Sequence, residues 1–313
     1  MAASIIMRRI FLQLVGTMIL SSVGIVLLSL AVGHGLNEDD IVYAAYLNTD
    51  AHIYQMSPIR HISREITHNR AQDTSPIWSP DGKQIAFVSK VGGLNLVSVM
   101  NAYNGHPLPV TDGVADEYSP AWSPDGRYIA FLRLKGITTD IFLTDLQAHT
   151  TRRLTTATHN YYPPAWSPDG RYLTFAADIT AKDATDLFKL DVQTDIISPL
   201  LVDTPAQETY NAWSPDGRYL LYIAKDVSDN IYVQDMQSGQ STLVYKSEYL
   251  TSVPNWSSDN RSMIFSAFAE NRQDGLFRLD IPSCVQKTGG CVPELLGTTY
   301  GMFLHPRWRP RSS

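Results

Sequence analysis

One pentapeptide, Trp-Ser-Pro-Asp-Gly, constrains this chain more than any other stretch. It occurs at Trp78–Gly82, Trp122–Gly126, Trp166–Gly170 and Trp213–Gly217. A weakened copy runs Trp256-Ser257-Ser258-Asp259-Asn260, and a remnant, Trp308-Arg309-Pro310, lies near the C-terminus. All six tryptophans are used in this way, at steps of 44, 44, 47, 43 and 52 residues.

Ser-Pro-Asp-Gly reads as a type I turn, with proline presetting φ at the second position and glycine at the fourth. The tryptophan ends the strand before the turn. Short aromatic and branched runs follow it, such as Gln84–Ser89, Tyr128–Leu132, Tyr172–Ala176 and Tyr219–Ile223, and these read as strands. A third strand recurs around Asn95–Val97, Asp140–Phe142, Asp186–Phe188, Asn230–Tyr232 and Gly275–Phe277. A fourth recurs around Leu108–Thr111, Arg153–Thr155 and Glu294–Leu296. Units of this size cannot each bury both sheet faces alone, but they can when stacked radially, and the period is that of a propeller blade.

The two ends of the repeat array complement each other. Ile41–Tyr46, His52–Met56 and Glu65–Thr67 match the last three strands of a blade, without a tryptophan strand. Pro306–Pro310 supplies a tryptophan strand with nothing after it. Pairing them closes a six-bladed, all-β propeller over 41–313 and removes the exposed sheet edges of an open array. The residue before the tryptophan is small in Ala121, Ala165 and Ala212, which predicts close packing of neighbouring blades. Asn255 and Arg307 break that rule, so a looser or wetter junction is expected there. Asp145, Asp191, Asp235 and Asp280 recur after the third strand and read as turn residues.

Residues 1–9 are a short basic tail, and 10–33 carry no charge. A helix over those residues spans about 36 Å, against roughly 30 Å of hydrocarbon. Fourteen of the 24 are Leu, Ile, Val or Phe. The segment reads as a transmembrane signal anchor, or as a cleaved signal peptide ending near Ala31-Val32-Gly33. Either way Arg8 and Arg9 stay in the cytoplasm, and the propeller, after a 34–40 linker, is expected on the periplasmic or exterior side. Cleavage would make it secreted. In such a compartment Cys284 and Cys291 read as a disulfide, for which chain entropy suggests about 2–2.5 kcal/mol.

Aromatic residues are 10% and charged residues 18%, the composition of a folded chain. The net charge is −6, and removing Arg8 and Arg9 leaves −8 on the remainder. That balance excludes nucleic acid as an expected partner, because phosphate binding needs a basic surface.

Trp-Ser-Pro-Asp-Gly followed by an Ile-Ala-Phe-type strand and Asp-Ile-Phe/Tyr-x-x-Asp resembles the WD40-like (PD40) propeller repeat of TolB-type proteins, over about 41–310. The resemblance implies a propeller that serves as a binding partner in an envelope-spanning complex. Similar repeats precede the hydrolase domain of prolyl-oligopeptidase-type peptidases and occur in oligouronide lyases.

Motifs for nucleophilic, nucleotide or metal chemistry are lacking: there is no Gly-x-Ser-x-Gly, Walker loop, Gly-x-Gly-x-x-Gly, His-Glu-x-x-His or Cys-x-x-Cys. His305 and His159 precede their tryptophans by 3 and 7 residues and are expected near the channel mouth. The residues five and six before each tryptophan suggest a binding face. It comprises Asp73, Asp116, Glu117, Asn160, Tyr161, Glu208 and Phe303, with His305 nearby. Acids on one arc and aromatics on another suit a basic or aromatic peptide, or a cation. The expectation is therefore a monomeric, non-catalytic, membrane-anchored module that binds a protein or peptide outside the cytoplasm, with no cofactor and no metal. The alternative is a carbohydrate lyase or hydrolase with a His/acid site at the channel mouth.

Overall fold

Every copy of the repeat turn closes through the same hydrogen bonds, so local chemistry builds the scaffold. In the computed structural model, Gly82 N donates to Ser79 O at 2.9 Å, and the pattern recurs at Gly126, Gly170 and Gly217. The serine hydroxyl donates to the aspartate two residues on, at 2.7 Å in Ser79–Asp81 and 2.6 Å in Ser257–Asp259. The fourth position is left-handed, with φ from 64° at Gly82 to 73° at Gly217, which explains the glycine. Asn260 takes that conformation in the weakened copy, at φ 60°, and its side chain accepts from Asp216 N of the preceding blade at 3.0 Å.

The structure describes residues 40–310 apart from 48–49, 58–61, 69–70, 104, 156–160, 180–184, 202–206, 226–228, 248–252, 269–273, 286–290 and 300–302. The expected tail 1–9, hydrophobic segment 10–33 and nearly all of the linker 34–40 lie outside the described residues. Among the described residues no helix is long and apolar enough to cross a membrane.

Six four-stranded antiparallel sheets form the blades. Blade one is Asp73–Trp78, Gln84–Val91, Leu94–Asn101 and Leu108–Pro109; blade two is Glu117–Trp122, Tyr128–Lys135, Thr138–Asp145 and Thr150–Arg153. Blade three is Ala165–Trp166, Tyr172–Ala177, Asp186–Asp191 and Ile196–Pro199; blade four is Gln207–Trp213, Tyr219–Lys225, Asp229–Asp235 and Ser241–Ser247. Blade five is Asn255–Trp256, Ser262–Phe268, Asp274–Asp280 and Glu294–Thr299. The sixth is composite. Phe303–Trp308 pairs with Ile41–Leu47, Ile41 opposite Trp308, and Asp50–Ser57 and Ile62–Glu65 complete the sheet. The expected closure is therefore observed. Arg309 fastens it: its backbone N donates to Asp40 O at 2.8 Å and its Nε to Gly82 O at 3.1 Å, with the guanidinium 5.6 Å above the Trp78 ring.

The core lies between blades. The aromatic nine residues after each tryptophan (Phe87, Phe131, Phe175, Tyr222, Phe265) is buried. Four of these rings stack on a third-strand aromatic, as in Phe131–Phe142 at 6.0 Å and Tyr222–Tyr232 at 5.5 Å; Tyr43–Tyr54 repeats the contact in the composite blade. Trp166 Nε1 donates to Ala121 O and Trp256 Nε1 to Ala212 O, both at 3.1 Å, so the tryptophan also bonds one blade to the next. Trp78, Trp122, Trp166 and Trp256 are buried, while Trp213 and Trp308 are half-buried.

The recurring aspartates hold the turns after the third strand. Asp145 accepts from Gln147 N at 2.9 Å and Ala148 N at 3.0 Å, and Asp191 and Asp235 repeat the arrangement. The Arg127 side chain and those backbone donors hold the Asp145 carboxyl down at about 2. Cys284 and Cys291 form the expected disulfide, with Cα atoms 5.3 Å apart.

Antiparallel connectivity sorts the loops. The hairpins between second and third strands and the links between blades emerge at one end of the ring, here the linker face. The Ser-Pro-Asp-Gly turns emerge at the other.

Candidate functional site

The acids expected to line an exposed face are turned inward. Asp73, Glu117 and Glu208 have relative exposures of 0%, 0% and 1%. Their positions begin the inner strands, from which the side chain of Glu117 or Glu208 reaches the third strand of the preceding blade. There it meets a backbone N–H that needs an acceptor. Glu117 Oε2 accepts from Val97 N at 2.9 Å, and Glu208 Oε2 from Leu187 N at 3.0 Å. Thr67 and Thr155 do the same for Ile53 N at 2.9 Å and Ile141 N at 3.0 Å. Asp73 Oδ1 accepts from Ser89 Oγ at 2.6 Å.

Glu117 is the most heavily bonded of these acids. Thr111 Oγ1 donates to its Oε2 at 2.6 Å, and Arg133 Nη2 to its Oε1 at 2.7 Å. Arg133 also pairs with Asp112 and lies 4.4 Å over the Phe142 ring. Burial raises the Glu117 carboxyl above its ordinary value; the bonds from Thr111, Val97 and Arg133 oppose that rise. Asp116 accepts from Asn95 N at 2.8 Å and is half-buried. Tyr161 is buried, edge-on to Phe175 at 5.6 Å. Asn160 and His159 lie outside the described residues, as does the Phe303 side chain. The predicted face thus buries Asp73, Glu117 and Glu208, the last two as inter-blade brackets, and leaves Asp116 half-buried.

The central channel is instead lined by two other layers of the same inner strands. Three residues before each tryptophan stand Ser75, Ser119, Pro163, Tyr210, Val253 and His305. One residue before stand Ile77, Ala121, Ala165, Ala212, Asn255 and Arg307. The cavity they enclose has a volume of about 220 Å³. The small residues expected to pack blade on blade line this void, and Arg307 is the one formal charge among these twelve side chains. A cation thus faces this void at Arg307, a position expected only to make the junction looser or wetter.

Three adjacent sectors of the wall are strained. Ser75, Ser119 and His305 all have φ of 52°, a left-handed conformation costing about 1–2 kcal/mol in a non-glycine residue. The strand register shifts at each, between Thr74 and Ile77, Tyr118 and Ala121, and opposite Val42/Ala44. Such bulges re-aim side chains, and they cluster at functional sites. Ser75 Oγ and His305 Nδ1 are 3.5 Å apart, too far for a strong bond.

Burial, and then the Arg307 charge, lowers the His305 imidazole to about 4. Burial lowers the Arg307 guanidinium to about 10. Both side chains are half-buried, facing the void. At neutral pH the channel holds a neutral imidazole beside a charged guanidinium. Among the described residues no three His, Cys, Asp or Glu side chains converge as a metal site would require.

The TolB beta propeller domain family model, PD40, matches residues 104–288. TolB from Acinetobacter baumannii superposes with a TM-score of 0.74 at 18% identity, over 87% of this chain and 67% of that protein. An oligogalacturonate lyase in complex with manganese superposes with a TM-score of 0.59 at 14% identity, over 81% of this chain and 74% of that one. A puromycin hydrolase does so at 0.58 and 13%, over 82% of this chain but 43% of its own. No curated protein matches the chain by sequence.

Proposed function

The chain belongs to the TolB beta propeller domain family, and from that premise we propose that it is a non-catalytic module that captures a protein or peptide on its linker face. Residues 10–33 would tether it to the membrane, with the propeller outside the cytoplasm. One observation carries the binding role. Val91, Val114, Tyr118 and Ile137 are exposed by 42%, 71%, 36% and 96%. All four belong to blades one and two or the link between them, and all emerge toward the linker face. Four of the nine large apolar side chains exposed among the described residues thus share this face, which favours a partner surface there. The Cys284–Cys291 disulfide favours an oxidising compartment.

The enzymatic reading has less support. His305 has no carboxylate among the channel-lining side chains to orient it, and an imidazole lowered to about 4 is a weak general base near neutral pH. The test is in-cell photocrosslinking from position 137 in the native envelope. A discrete partner is expected, and Val114→Asp should abolish its capture while leaving thermal stability unchanged. A smear of nonspecific adducts, or capture indifferent to Val114→Asp, would refute the surface.

A further inference from the structure

We propose that the central channel is a carboxylate receptor, with the Arg307 guanidinium holding the ligand. The cations elsewhere in the blades show how this chain normally treats arginine. Arg133 has Glu117 and Asp112, Arg153 has Asp140, and Arg127, Arg171 and Arg218 each have the aspartate after the third strand. Arg307 has no such partner: among the described residues, its one hydrogen bond is to the carbonyl of its neighbour Pro306, at 3.2 Å. A half-buried guanidinium that faces a cavity without a counter-charge carries a desolvation cost, and its planar fork of donors matches a carboxylate.

Size and charge narrow the class. The cavity of about 220 Å³ is roughly seven waters' worth of liquid volume, enough for one acidic side chain or a small free acid, and too little for a folded segment. A single cation is balanced by a monoanion, whereas a phosphate dianion would leave negative charge uncompensated within the same wall. His305, neutral beside it, adds no second cation. The strained bulges at Ser75, Ser119 and His305 hold three neighbouring side chains toward this void.

A carboxylate could arrive free or on a docked partner. Only the second source rests on the docking role proposed above. The two are separated by titrating the full chain at fixed ionic strength, with chloride replaced by acetate in one arm. The other arm uses a blocked pentapeptide with a central Asp, and its Asn counterpart. Acetate should raise the unfolding midpoint of the wild type saturably. Arg307→Met should lose the response, and in chloride alone should be at least as stable as the wild type, because an uncompensated charge has gone. Arg307→Lys should retain the response with affinity weakened about tenfold. Preference for the Asp peptide over the Asn peptide, lost in Arg307→Met, would identify a partner's side chain as the source. An acetate response without peptide binding upholds the receptor and assigns it a free acid. Equal acetate responses in wild type and Arg307→Met, or a destabilised Arg307→Met, would overturn the proposal.

Discussion

Glu117→Ala separates a structural bracket from a displayed binding acid. Every group facing the carboxylate is a donor: Val97 N at 2.9 Å, Thr111 Oγ1 at 2.6 Å, and Arg133 Nη2 at 2.7 Å. Truncation leaves the Val97 N–H without its acceptor, a cost of about 1–3 kcal/mol for a buried group. It also removes one of the two acids on Arg133, and breaking a buried pair costs about 3–5 kcal/mol, toward the lower end here because Asp112 remains. A loss of about 4–6 kcal/mol is expected overall. Glu117→Gln should recover little of it. Its amide presents one acceptor and one donor, so the donor must face either Val97 N–H or the guanidinium; only the Thr111 hydroxyl can turn to accept. The assay is the denaturant midpoint of the full chain at 25 °C, read by tryptophan fluorescence. Glu208→Ala, which strips Leu187 N, should fall in the same direction. Wild-type midpoints in Glu117→Ala and Glu208→Ala would refute the bracket and restore these acids to the list of candidate ligands.

Two further outcomes follow from the channel and the disulfide. His305 is lowered to about 4 in the folded chain, from an ordinary value near 6.5, so the stability it supports is complete above about pH 6.5 and is lost as pH falls toward 4. Between pH 7.5 and 5.0 that amounts to about 2 kcal/mol; a wild-type-minus-His305→Gln difference in unfolding free energy that stays flat across this range would contradict it. Cys284→Ser should cost about 2–2.5 kcal/mol of loop-closure stabilisation, more if the buried 284 site tolerates a hydroxyl poorly. Thiol alkylation with mass spectrometry should find both cysteines blocked until the chain is reduced.

Much of the scaffold is legible in the primary structure because its determinants are local. Ser79, Pro80, Asp81 and Gly82 specify one turn whatever surrounds them, and five repetitions set the blade count once the orphan strand at 306–310 is matched to 41–46. The disulfide is legible for the same reason, since its cysteines are seven residues apart. The aspartates at 145, 191 and 235 announce turns because the backbone N–H groups that donate to them lie two and three residues on.

The site is legible only in part. Acids five residues before the tryptophan were expected to meet solvent, but Glu117 and Glu208 meet a backbone N–H some twenty residues earlier in the chain, on another blade. Nothing in their sequence surroundings names that partner. The residues one and three before each tryptophan are the better guide, because both layers line the channel, although the bulges that re-aim Ser75, Ser119 and His305 leave no mark in the sequence. Arg307 was visible there, with Asn255, as an exception to the small residues.

Repetition of a self-contained turn determined that this chain closes into six blades with its ends paired, because every bond involved is short-range or copied. Which charges are buried and which face the axis was decided only when the blades met: the solvation of Glu117 depends on the packing of blades one and two, and that of Arg307 on the closure that brings the last strand to the first.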